Sequence, residues 1–222
     1  ELPPKALNKL GSAFAEALSA HLKSASLTTT NPQVTAFASP RRLAVHITGA
    51  LTKAPDQPIT KKLMPRAVAL DATGRPTSAL IKKAQATSEL CSELVASWPD
   101  ATSEKGKIFF KQDGNDEALF FETMLPGADI QLGLQLALKD ALGKLPIPKV
   151  MTYQLADGWN SVNFVRPAHG LVALHGADVI PVSVLGLQAG RVTRGHRFEA
   201  TADALSIRDA DSYEAQMEKE GA

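Results

Sequence analysis

A change of hydrophobic period within the first fifty residues limits what this 222-residue chain can fold into. Leu7, Leu10, Phe14, Leu18 and Leu22 recur at steps of three and four, with Ala13 and Ala17 on the same face. That spacing predicts an amphipathic helix. Pro4 suits its first turn, where a missing N–H costs nothing, and the pattern fades in Ser24–Thr30. Beyond Asn31-Pro32 the period drops to two: Val34, Ala36 and Ala38, then Leu43, Val45 and Ile47, alternate with their neighbours. Two strands joined at the Ser39-Pro40-Arg41-Arg42 corner fit this pattern.

The remainder keeps switching. Prolines punctuate residues 55–76, leaving room for one short strand around Ile59–Leu63. A helix is expected over Thr77–Glu89, and a second short one runs to Trp98 before Pro99. Lys107–Gln112 and Ala118–Met124 are β-rich and flank the hairpin signal Asp113-Gly114-Asn115. Asp129 can cap a helix through Ile130, Leu134, Leu138 and Leu142, with Gly143 placed to end it. Two prolines exclude helix from Leu145-Pro146-Ile147-Pro148-Lys149. Residues 162–187 read as strands, with Val172–His175 and Val179–Leu185 around a turn at Gly176-Ala177-Asp178. Ser206–Lys219 reads as an acidic helix capped near Asp209. Without a regular βαβ rhythm, the fold class is α+β, with mixed, largely antiparallel sheets and packed helices. The expected layout is one region over residues 1–222 with a sub-boundary near 144–150.

Composition narrows the function classes. Hydrophobic residues at 44% and charged residues at 21% argue against wholesale disorder. A formal net charge of +1 supplies no long-range field, so any affinity for nucleic acid has to come from local patches. The single cysteine, Cys91, can form neither an internal disulfide nor a zinc site of the two- or four-cysteine kind. A reducing cytosol is the expected compartment. The start at Glu1-Leu2-Pro3-Pro4 and the end at Glu218-Lys219-Glu220-Gly221-Ala222 read as those of a piece of a longer polypeptide.

No phosphate loop, nucleophile elbow, His-Glu-x-x-His motif or dinucleotide fingerprint occurs. His21, His46, His169, His175 and His196 have no partner at a recognised ligand spacing, so neither a catalytic nor a metal role is assigned to any residue. Basic turns stand out instead. Arg191-Val192-Thr193-Arg194-Gly195-His196-Arg197-Phe198 gathers three guanidinium groups and an imidazole around Gly195, which can take a positive φ or let a ligand approach the backbone. A guanidinium fork matches phosphate oxygens two at a time. A solvated cluster, or arginines paired with the acidic segment Asp203–Glu220, is the competing reading. Phe164-Val165-Arg166-Pro167-Ala168-His169, Ser39-Pro40-Arg41-Arg42-Leu43 and Leu145-Pro146-Ile147-Pro148-Lys149 repeat the theme. Four such turns suggest a platform for a polyanion or a protein surface. With no carboxylate pair or activated nucleophile beside them, binding is favoured over catalysis.

The same segments carry a family resemblance. Glu1-Leu2-Pro3-Pro4-Lys5-Ala6-Leu7, Pro40-Arg41-Arg42-Leu43-Ala44, Leu145-Pro146-Ile147-Pro148-Lys149, Phe164-Val165-Arg166-Pro167-Ala168-His169 and Arg194-Gly195-His196-Arg197-Phe198 occur in order. Together they resemble the N-terminal part of the β subunit of the bacterial, two-subunit glycyl-tRNA synthetase. Two segments depart from the family's pattern. Met151 is followed by Thr152 and Tyr153 where an arginine and a tryptophan are usual, and Lys61-Lys62-Leu63-Met64-Pro65 lacks the usual glycine.

The resemblance implies an α2β2 ligase that attaches glycine to tRNA at the cost of ATP. Glycine activation, with its ATP and Mg, would belong to the α subunit, leaving this chain without a cofactor or catalytic group of its own. The implied fold is a B3/B4-like module; the family's HD-like and anticodon-binding domains lie outside this sequence. The implied setting is cytoplasmic, with tRNA(Gly) and the α subunit as partners and no membrane. Arg191, Arg194, His196 and Arg197 become the first candidates for tRNA phosphate contacts, and Arg41, Arg42, Lys149, Arg166 and His169 the second. The alternative is a structural domain that docks the α subunit without touching RNA, its arginines paired with Asp203, Asp209 or Asp211. Editing of mischarged tRNA rests on fold analogy alone.

Overall fold

The computed structural model describes residues 2, 4–114, 116–147, 150–164, 167–196 and 198–221. The chain divides into two compact units, Glu1–Ala54 with Ala128–Ala222, and Pro55–Gly127. Residues 144–150, where the sequence suggests a sub-boundary, lie inside the first unit.

The first unit opens with a 3-10 turn at Pro4–Ala6 that leads into α1 (Leu7–Ser24). Its buried residues Leu10, Phe14, Leu18 and Leu22 are those whose spacing predicts the helix. Strands β1 (Val34–Ser39) and β2 (Arg42–Ile47) pair antiparallel from Val34↔Ile47 to Ser39↔Arg42, as the alternation implies.

The second unit follows in the chain: β3 (Gln57–Pro65), α2 (Arg66–Ala69), α3 (Ser78–Thr87), α4 (Glu89–Ala96), β4 (Thr102–Ser103), β5 (Gly106–Asp113) and β6 (Asp116–Leu125). The strands form one antiparallel sheet in the order β3-β6-β5-β4. Asn115, in the expected hairpin turn, lies outside the described residues, and Gly114 takes a φ of 69° there. Leu80 and Ala84 of α3 and Cys91, Leu94 and Val95 of α4 pack against Leu63, Ile108, Leu119 and Phe121 on one face of the sheet. Thr77 and Ser88 accept hydrogen bonds from the Leu80 and Cys91 amides and so cap the two helices. β3 is longer than the Ile59–Leu63 expectation. Its register shifts between Lys62 and Met64, and Leu63 is buried.

Back in the first unit, Asp129 caps α5 (Ile130–Lys144) by accepting from the Gln131 amide at 2.7 Å. Ile130, Ala137, Leu138 and Ala141 join α1 and Leu27 in a single core. Gly143 does not end this helix. The helix runs on through Lys144 and stops at Leu145, which the following Pro146 holds extended at φ −59° and ψ 133°. Next come β7 (Met151–Gln154) and β8 (Ser161–Phe164), paired antiparallel. Then follow short pairs of β9 (Leu174–His175) with β10 (Asp178–Val179) and β11 (Ser183–Val184) with β12 (Leu187–Gln188). The strand expected through 179–185 is thus broken at Pro181, which has no N–H to give a ladder, while Ile180 and Val182 still fill the core.

The end of the chain differs most from expectation. β13 (Val192–Thr193) pairs with β14 (Leu205–Ser206), so α6 begins at Tyr213 and spans Tyr213–Glu220. Asp209 lies in the turn before it, accepting from the Ser212 amide at 2.7 Å. Every pairing between these strands is antiparallel, and helices and sheets pack together, which makes the fold α+β. Among the described residues, no helix is long and apolar enough to cross a membrane.

Candidate nucleic-acid interface

The β1–β2 turn delivers Arg42 to a junction inside the first unit. Its half-buried guanidinium donates to Thr193 Oγ1 at 3.2 Å, to the Arg194 carbonyl, and to Met217 Sδ at 3.6 Å. The Pro40 carbonyl of the same turn accepts from the Leu2 amide at 2.5 Å. Three segments far apart in sequence therefore meet: the chain's start, the Pro40–Arg42 corner and the Arg191–Phe198 run. Glu1 and Pro3 of the opening motif lie outside the described residues.

A cleft of roughly 620 Å³ runs beside this junction, between α1, β1 and α6, with Ser12, Ser39, Arg42, Tyr213 and Glu214 on its walls. Tyr213 meets Phe37 edge-on with ring centroids 5.4 Å apart. Burial pushes its phenol above the ordinary value, and the nearby Arg42 cation acts in the opposite sense. Among the described residues no cluster of three His, Cys, Asp or Glu side chains is placed to hold a metal.

Arg191 and Arg42 are both bonded within the protein, Arg191 to backbone oxygens and Arg42 to a backbone oxygen and two side chains, and neither pairs with the carboxylates of the competing reading. Arg191 donates to the Ala177 carbonyl at 2.6 Å and to the Arg208 carbonyl at 3.3 Å. Asp211 instead pairs with His46 at 2.9 Å. The Asp209 carboxyl, bonded by the Ser212 amide and then by the Ser212 hydroxyl, is held below its usual range.

Gly195 also has a packing role. A Cβ there would sit 2.4 Å from Ala200 Cβ and 3.0 Å from Gly221 Cα, so the glycine lets the loop press against the end of α6. His196 N–H donates to the Gly221 carbonyl at 2.9 Å and Thr201 N–H to the Glu220 carbonyl at 3.0 Å. These bonds fix the loop's backbone and leave its side chains outside. Arg194 and His196 are exposed, and Phe198 is 85% exposed. The Arg194 guanidinium has no partner among the described residues. His196 Nδ1 lies 3.7 Å from a Glu199 carboxylate oxygen, and its ring meets Phe198 at 6.2 Å. Arg41, at the tip of the β1–β2 turn, is exposed as well. Arg197 lies outside the described residues.

The strand after the Leu145–Lys149 turn, β7, pairs with β8, the strand that leads into the Phe164–His169 turn. Met151 of β7 pairs with Phe164 of β8, and the Tyr153 hydroxyl accepts from the Ala168 amide at 3.3 Å. Tyr153 thereby holds the Pro167–His169 segment, and His169 is exposed. Pro148, Lys149, Val165 and Arg166 lie outside the described residues. The β7–β8 turn presents Trp159, 92% exposed, on a loop ordered by the Asp157 carboxylate, which accepts from the Trp159 and Asn160 amides. Those bonds, that of Asn160 foremost, keep the Asp157 carboxyl below its usual range. Sequence reasoning missed Trp159; the Asp157-Gly158 turn signal just before it was the available clue.

Residues 1–222 match the protein family described as glycyl-tRNA synthetase beta subunit. The chain belongs to that family. It is 58% identical over 222 residues to the glycine–tRNA ligase beta subunit of Leptothrix cholodnii and 54% identical over 222 residues to that of Janthinobacterium sp. (strain Marseille). With the Polaromonas naphthalenivorans protein of the same description the identity is 52% over 227 residues. All of this chain is covered in each comparison, but only 30%, 30% and 31% of those relatives. The chain thus spans under a third of the length of the curated relatives it matches. The departures from the family's pattern fall on defined structure: Thr152 and Tyr153 lie in β7, and Leu63 fills the core at the β3 irregularity.

Proposed function

We propose that this chain is the front portion of a glycyl-tRNA synthetase β subunit that helps to engage tRNA(Gly) and to assemble with the α subunit. In this reading the α subunit activates glycine with ATP and Mg, and this region adds no catalytic group. The observation that carries the proposal is the Arg42 junction. It ties the Pro40–Arg42 corner to the Arg194 loop while leaving the Arg194, His196 and Phe198 side chains outside. A guanidinium, an imidazole and an aromatic ring together suit a phosphate backbone with unpaired bases.

The test is aminoacylation by the complete α–β assembly carrying Arg194→Ala. The tRNA KM rises severalfold, while ATP–pyrophosphate exchange with glycine is unchanged. A normal tRNA KM contradicts the assignment. A second reading is favoured for part of the set by a specific observation: the guanidinium groups of Arg42 and Arg191 bind backbone oxygens within the domain. These two arginines brace the fold, and their loss acts on stability or assembly before it acts on RNA.

A further inference from the structure

The second unit has a surface that this reading leaves unused. Strand alternation calls for polar side chains on the sheet face opposite α3 and α4. Instead Phe109 of β5 and Phe120 of β6, which are register partners, stack there with centroids 6.2 Å apart and planes 27° apart. Lys107 Nζ stands 5.4 Å from the Phe109 centroid and Lys111 Nζ 5.8 Å from the Phe120 centroid. Lys62 of β3 is the other register partner of Phe120 and brings a third ammonium. Lys62 pairs with Asp113, and Lys107 pairs with Glu122 at 3.0 Å. Both lysine side chains remain about half exposed, at 47% and 48%. Lys111 has no carboxylate partner among the described residues. Met124, 46% exposed, extends the apolar strip along β6.

We propose that this face is a stacking platform for unpaired nucleotides of RNA, with Phe109 and Phe120 receiving bases and Lys111 a phosphate. Two features select this occupant over a protein. The cores of protein interfaces are depleted of lysine and of carboxylates, and this face has both among its rings. Single-strand binding surfaces combine aromatic rings with cations that track the backbone. The Lys107 and Lys111 ammoniums already stand over rings, where each can turn to a phosphate as a base takes its place. Asp113 and Glu122 pair with Lys62 and Lys107, which leaves Lys111 as the ammonium for a phosphate. The proposal goes beyond the loop reading and stands without it, since none of its residues belongs to the first unit.

The test is fluorescence anisotropy of the intact protein with an unstructured, labelled RNA of about twelve nucleotides. Phe109→Leu with Phe120→Leu keeps most of the apolar volume but removes the rings, and binding weakens at least about tenfold. Phe120→Tyr keeps wild-type affinity. Lys111→Gln lowers the slope of log K against log salt by about 0.7. Wild-type binding by the leucine pair overturns the proposal, as does the absence of oligonucleotide binding by the intact protein. It is equally overturned if the pair loses assembly with the α subunit while RNA affinity stays the same. Should the leucine pair fail to fold, crosslinking to 4-thiouridine RNA decides: adducts on β5 and β6 support the platform, and adducts confined to other elements refute it.

Discussion

In sequence, Arg42, Arg191 and Arg194 are alike: each is an arginine beside a turn. The structure separates them by where the guanidinium ends. Arg42 and Arg191 bond backbone carbonyls far along the chain, and the Arg194 side chain is exposed. No local pattern encodes that difference, because it depends on which carbonyls the fold brings within reach. Arg42→Ala is expected to cost about 1–3 kcal/mol in urea unfolding, since it removes a charged donor from several part-buried acceptors at once. Arg42→Lys should recover only part of this, lacking the planar fork. Cys91 gives a second test at this scale. Burial pushes its thiol up from 9.0 to about 11, so the folded state holds the proton more tightly than the unfolded state. Its contribution to stability is complete below pH 9 and is lost as the pH rises towards 11. The urea midpoint should fall over that window in the wild type and fall less in Cys91→Ala. A thiol reagent should label Cys91 at pH 8 only after denaturation.

Elements with a strong period were legible, and their ends were not. The spacing of Leu10, Phe14, Leu18 and Leu22 marks the buried face of α1, and the alternation of Val34–Ile47 marks the β1–β2 pair. Gly143 looks like a helix stop because glycine is common just past a C-terminus, yet Pro146 sets the end of α5. A Cβ at Gly143 would meet nothing within 4 Å, so Gly143→Ala should stabilise the protein by about 0.5–1 kcal/mol, read from the thermal midpoint. The start of α6 was hidden by a long-range event, the pairing of Leu205–Ser206 with Val192–Thr193. Buried Gln216 then joins helix to strand: its amide donates to the Ser206 carbonyl at 2.8 Å, and its oxygen accepts from the Arg208 amide at 3.1 Å. Gln216→Ala strands both partners and should cost about 1–3 kcal/mol in urea unfolding.

For the whole molecule, the second unit is a continuous insertion with its own core. Gln57 pairs with Leu125, and the Gly127 amide donates to Asp56 Oδ1 at 2.8 Å, so the unit's two ends lie side by side. Residues 55–127 expressed alone should therefore unfold cooperatively in urea; a non-cooperative transition would show that they need the rest of the chain. The candidate site was half legible. The basic turns were visible as composition, but their sorting into an Arg42 junction and a Tyr153-held segment arises from contacts more than ten residues apart. Gly195, a plausible ligand-approach glycine in the sequence, turned out to face Gly221. The central claim is that the exposed side of the Arg194 loop meets the phosphates of tRNA. Titrating the complete α–β assembly with tRNA(Gly) across a salt series tests this most directly. Arg194→Ala should lower the slope of log K against log salt by about 0.7–0.9, one phosphate contact. A slope equal to that of the wild type would contradict the claim.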